Sequence, residues 1–279
     1  MLPRHCFLVL ALIFFSCFSL STQLKQPPDT QPELRNKEDR VVVSAPILLF
    51  LYGGDNYLAA NLEAIRLAST GIDESGTDTA YLTRAQHEVS KLNPCHEDNY
   101  YLANALLTWG GAVSEGNKVL KSAIQCRFWD GVAPFFYGVN KVFFDREKDE
   151  AIQAFELAAE RWPVNSAALR RLAITLRAEQ FSDEHLALNY LTQQRDSATD
   201  PLLQEMLSRR VTRLHGLIQL REAQRRYEKK HGNLHDISQL VETGELTAIP
   251  EDPLGLGYEL QDGHIDMKTL KIEGMESQQ

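Results

Sequence analysis

The sequence predicts a mainly α-helical protein, an α-solenoid of about four helical hairpins with a small α/β C-terminal cap and an N-terminal signal or anchor helix. Three observations predict it. The first is a spacing: Gly138, Ala151, Phe155, Ala158 and Pro163 stand where stacked hairpins need small, small, bulky, small and helix-ending residues. Ala103, Gly116, Leu120 and Ala123 repeat the pattern 35 residues earlier, and Leu172, Ala187 and Leu191 repeat it 34–36 residues later. The second is helical periodicity within each unit, as in Leu58, Leu62, Ile65 and Ala68. The third is composition: 43% of 279 residues are apolar, enough for a continuous core.

Residues 1–21 read as a signal peptide or membrane anchor. Arg4 and His5 precede an unbroken run of 15 apolar or small residues, CFLVLALIFFSCFSL. As helix this run measures about 22 Å, short of the roughly 30 Å hydrocarbon core, which favours a removed signal over a full span. Ser19 and Ser21 supply small residues for a cut before Thr22. Two alternatives stay open: retention as an N-terminal anchor, or lipidation of Cys17 after a cut behind Ser16. Each places the body of the chain outside the cytoplasm, in or facing a periplasm. Residues 22–40 hold three prolines and no apolar periodicity, the pattern of a flexible linker.

Residues 41–200 form the repeat region. A first helix starts near Ser44. Helices over 57–69 and 79–92 flank a polar turn at 71–78, and Asn93-Pro94 stops the second. The next hairpin covers 97–110 and 113–126, linked at Gly110-Gly111. A third covers 132–144 and 148–161, and a fourth 166–179 and 183–194. A long helix spans 201–232, with a basic face and an end at Gly232. Residues 233–279 make a small α/β tail: a short helix over 237–243, then turn signals at Asp252-Pro253, Gly255 and Asp262-Gly263 bracketing a hairpin near Tyr258.

Cys95 lies about 15 residues before the Gly110-Gly111 turn and Cys126 about 15 after it, so an antiparallel hairpin makes them neighbours. In an exported chain this predicts a Cys95–Cys126 disulfide closing the hairpin's open end; two half-buried thiols are the alternative.

The repeated small and bulky positions resemble the tetratricopeptide repeat family over about residues 57–199. The third hairpin matches best, and Tyr100 and Phe135 stand where the family has a large aromatic early in its first helix. The 57–94 unit departs on its second helix, and the fourth carries a short insertion. The resemblance implies that the first helix of each pair lines a concave wall. It thereby places Tyr101, Trp109, Phe136, Asn140, Phe143, Phe144, Arg170 and Arg177 as partner-binding residues, suited to an extended peptide with arginines at one end for carboxylates. These aromatics are alternatively core. The family's carboxylate clamp pairs Lys with Asn, and only Asn140 fits it. A second resemblance runs from Tyr227 through Pro250, Asp252-Pro253, Gly255 and Tyr258, similar to the soluble region of type II secretion pseudopilins. No prepilin cleavage motif precedes the export helix, and the acidic calcium loop of the major pseudopilin does not follow.

No catalytic, metal or cofactor motif emerges. Gly71 and Gly76 have phosphate-loop spacing, but Thr77 stands where lysine is required. His231 and His235 are separated by Gly232 and Asn233, which break the helix that would align them, and Asp73, Glu74 and Asp78 fail the EF-hand order. The net charge of −9 argues against a nucleic-acid partner and leaves the N-terminal segment as the membrane contact. The expectation is a non-enzymatic exported scaffold that binds another protein or extended peptide while assembling an envelope complex of pilus or secretion type. The rival is a structural subunit whose groove is filled by its own C-terminal tail.

Overall fold

The computed structural model describes residues 15–16, 41–70, 79–108 and 111–269. The chain divides into two units, Met1–Arg40 and Val41–Gln279. Of the first, only Phe15 and Ser16 are described, both helical. The cleavage, anchoring and lipidation readings, the linker, the 71–78 turn and Trp109 therefore fall outside the described residues. No helix among the described residues is long and apolar enough to cross a membrane.

The second unit is mainly helical, with one two-stranded antiparallel sheet near its C-terminal end. Its helices are α1 (Ala45–Leu51), α2 (Asn56–Thr70), α3 (Thr79–Leu92), α4 (Glu97–Leu102), α5 (Val113–Cys126), α6 (Val132–Asn140), α7 (Lys148–Arg161), α8 (Ser166–Ala178), α9 (Glu184–Ser197), α10 (Pro201–His231) and α11 (Gln239–Glu242). The strands are β1 (Tyr258–Gln261) and β2 (His264–Met267). Most of the helices pack mainly on their chain neighbours: α2 on α3, α6 on α5 and α7, α8 on α7, and α10 on α9.

Local chemistry sets the boundaries. Ser44 and Pro46 open α1, and Asp183 and Asp200 cap α9 and α10 through side-chain oxygens that accept from exposed N–H groups. Gly232, at φ 83°, ends α10 behind Lys229 and Lys230, whose charges suit the negative pole of the helix. The Asp262-Gly263 turn has positive φ at both residues and pairs Tyr258 with Met267 and Gln261 with His264.

Two refinements concern the first helices of the hairpins. The 97–110 helix becomes a π-helix over Ala103–Thr108, and the 132–144 helix becomes one over Lys141–Asp145. Apolar spacing does not register this switch, because both forms place a buried residue every turn. A π segment carries extra residues in its turns and so rotates everything after it relative to a 3.6-residue count. The short helix read over 237–243 is helical only over Gln239–Glu242. Ahead of it the backbone donors are claimed by side chains: Gln239 Oε1 accepts from the N–H groups of His235 and Asp236, and Asp236 Oδ1 from that of Ser238.

The core forms three clusters: α1 to α6 around Leu82, Tyr100 and Leu120; α7 and α8 around Ile152 and Phe155; and α8 to β2 around Leu207, Leu220 and Ile265. The small residues of the repeat pattern sit inside. Ala103, Ala151 and Ala158 are fully buried, and Gly138 lies directly against the ring of Phe155.

Candidate functional site

The described residues read from the sequence as a binding wall separate into four groups. Tyr101 and Phe136 form one aromatic run. Tyr101 stacks on Tyr100 with centroids 4.8 Å apart and meets Phe136 edge-on at 5.6 Å; Phe136 touches Phe135 at 5.8 Å, which continues to Phe155 at 6.1 Å. Tyr101 is partly exposed, whereas Phe136 packs on the first core cluster. Phe143 is exposed and Phe144 half-buried, both within the second π segment. Arg170 and Arg177 are exposed on α8, and Arg177 approaches Glu156 at 3.8 Å.

Asn140 belongs to the core instead. It is 1% exposed, and its Nδ2 donates to Asn104 Oδ1 (3.1 Å) and Asn117 Oδ1 (2.9 Å). Asn117 in turn donates to Asp145, which pairs with the buried Lys141 at 2.8 Å. Glu147 and Glu150 complete the lysine's surroundings, and Tyr137 donates its hydroxyl to Glu150. Burial alone pulls the Lys141 ammonium down, but hydrogen bonds to Asp145 and Glu147 win and raise it. This ladder ties the π segment behind α4 to α5 and α6 and leaves the Asn140 amide no donor for a partner.

Cys95 and Cys126 form a disulfide with Cα atoms 5.3 Å apart, at the open end of the α4–α5 pair. Arg127 reinforces it, donating to the Cys95 carbonyl (3.2 Å), Glu97 (2.8 Å) and Asp130 (2.8 Å). Tyr100 also donates to Asp130, at 2.7 Å. Burial pushes the Asp130 carboxyl up, yet the bonds from Tyr100, the Val132 N–H and Arg127 hold it below the ordinary range.

A surface missed by the sequence reading lies on α1 and α2. In α2 the buried face is Ala59, Ala60, Glu63, Ala64 and Leu67. Leu58, Leu62 and Ile65 lie on the opposite face and are 45%, 40% and 62% exposed. In α1, which packs on α2, Phe50 is 84% exposed and Leu51 64%. The signal was present, since α2 is apolar on two sides, but one stripe alone suffices to predict a helix. Phe128 and Trp129 form a second exposed pair, edge-on at 4.9 Å, beside Arg127.

The C-terminal segment is clamped to α10. Asp252 accepts from the N–H groups of Leu254 (2.9 Å), Leu256 (3.2 Å) and Gly257 (2.7 Å) and faces Arg213 Nε at 3.1 Å, both side chains being buried. Burial raises the Asp252 carboxyl, and the backbone donors with Arg213 outweigh it, so that it stays low. Tyr258 donates to the Arg213 carbonyl at 3.1 Å, above Gly216, where any side chain would strike the Tyr258 hydroxyl. Arg221 reaches Glu184, Asp266 and the Ile265 carbonyl, joining α9 and β2 to α10. Among the described residues no group of three or more His, Cys, Asp or Glu side chains could hold a metal. Comparison with protein families, curated proteins and solved structures found no match.

Proposed function

We propose that this chain is an exported scaffold of tetratricopeptide-like hairpins that binds another protein during assembly of an envelope complex, of secretion or pilus type. The observation that carries the reading is the outer face of α1 and α2. A helix apolar on both sides is built to be covered on both sides, and a contiguous exposed apolar patch on a folded domain marks a protein-binding surface. The partly exposed Tyr101, at the edge of its aromatic run, and the exposed Phe143 offer further contacts. The buried small residues at helix crossings support the stacked-hairpin reading, since neighbouring pairs nest closely only where side chains are small. The disulfide supports export, because such bonds persist in oxidising compartments. The rival, a groove filled by the chain's own tail, gains no support from β1 and β2, which pack on α10.

A photo-crosslinking residue at position 65, with a matched one at the exposed Glu156, tests this in the native host. A discrete crosslinked protein at position 65 that disappears with Leu62→Lys, while the melting temperature is unchanged, is the expected result. Equal crosslinking at both positions, or a species indifferent to Leu62→Lys, would refute the α2 surface.

A further inference from the structure

Where α8 packs on α10, Arg171 falls on the α8 stripe of Ala167, Ile174 and Ala178, and Arg210 on the α10 stripe of Leu207 and Leu214, all of which belong to one core cluster. Arg171 and Thr175 lie one turn apart on α8 and so share a face. Arg171 Nε and Thr175 Oγ1 are both shut off from solvent, and neither has a hydrogen-bond partner among the described residues. Arg210 projects from α10, half-buried, in a field set by Arg171 and Arg213. Burial first, and then those two like charges, push its guanidinium below the ordinary arginine range.

The acids nearby are already committed. Asp252 is held by three backbone N–H groups and Arg213, and Arg213 spends a second donor on the Lys268 carbonyl at 2.6 Å. Glu179 leans toward Lys148 at 3.4 Å. Among the described residues, neither Arg171 nor Arg210 has a carboxylate within salt-bridge distance along this half-buried helix seam, an arrangement that costs stability unless an anion joins it.

We propose that Arg171, Thr175 and Arg210 form a binding site for an oxyanion, the carboxylate or phosphate group of a ligand. Two guanidinium groups and a hydroxyl supply the forked donors that such a group accepts. The site lies on α8 and α10 and is independent of the apolar face of α1 and α2, so either reading can fail alone.

The test is thermal unfolding and calorimetry on the full chain, with sodium phosphate, sodium acetate and sodium chloride at matched ionic strength. Saturable stabilisation by phosphate or acetate beyond that of chloride is expected, and the tighter of the two identifies the ligand class. Arg171→Gln and Arg210→Gln are each expected to weaken binding about tenfold or more. In oxyanion-free buffer, Arg210→Gln is also expected to raise the melting temperature, because an unpaired half-buried charge has gone; a merely structural arginine would lower it. Equal effects of all three salts, undiminished binding in both variants, or a lower melting temperature for Arg210→Gln would overturn the site.

Discussion

Gly138→Ala tests the close helix crossing directly. A methyl group at position 138 would stand 2.8, 3.0 and 3.1 Å from three ring carbons of Phe155, against the roughly 3.5–4.0 Å of ordinary carbon contact. The ring has little room to retreat: Phe155 is 3% exposed and lies 6.1 Å from Phe135. Overpacking of this kind costs about 1–3 kcal/mol, while alanine gains about 1 kcal/mol over glycine in a helix interior. The expected net loss in urea unfolding is about 0–2 kcal/mol. Phe155→Leu alone should cost on the order of 1–2 kcal/mol through the cavity it leaves. In the double variant the smaller leucine makes room for the methyl group, so the two losses should fall short of additivity by about 1 kcal/mol. A Gly138→Ala protein more stable than the parent, with strict additivity in the cycle, would mean that the helices do not touch there and that the small-residue argument is wrong.

Removing the disulfide with Cys95→Ser and Cys126→Ser should lower unfolding free energy by about 3–4 kcal/mol, the chain-entropy value for a loop of this separation; chemical denaturation checks it, and an unchanged midpoint refutes it. His96 caps α4 through Nδ1, which accepts from the Asn99 N–H at 3.3 Å, and burial holds its folded value below the unfolded one. Its contribution is therefore complete above pH about 6.5 and declines as pH falls below that. His96→Asn, which keeps a cap acceptor without the titration, should flatten the pH dependence of the urea midpoint between about pH 7 and 5. Asp252→Asn leaves Arg213 buried without its counter-charge and should cost about 3–5 kcal/mol near neutral pH. Because the Asp252 carboxyl is held low, that contribution is present above about pH 4 and lost as pH falls through the folded value, so the variant and parent should converge in acid.

The helices, their order, the hairpin turn at Asp262-Gly263 and the pairing of Cys95 with Cys126 were legible in the sequence. Each depends on periodicity, on capping and turn residues, or on counting outward from a turn, and all of these act over short stretches of chain. The site was less legible. Asn140 carried the right residue type for a partner contact, but its neighbours Asn104 and Asn117 are 36 and 23 positions away, and only their convergence shows it to be core. The π segments rotate the residues that follow α4 and α6 beyond what a fixed helical count could follow. Conversely, the basic run of α10 was open to more than one reading, a solvated face or a dock for acids of a partner or of the chain's own C-terminal segment. Tertiary structure divided it, giving Arg213 to Asp252 and Arg221 to Glu184 and Asp266 while leaving Arg210 without a partner carboxylate among the described residues. Local pattern determines which residues turn inward, because the helix repeat is a property of the backbone. Which charges meet, and which stay unmatched, depends on contacts tens of residues apart, and those exist only once the helices have packed.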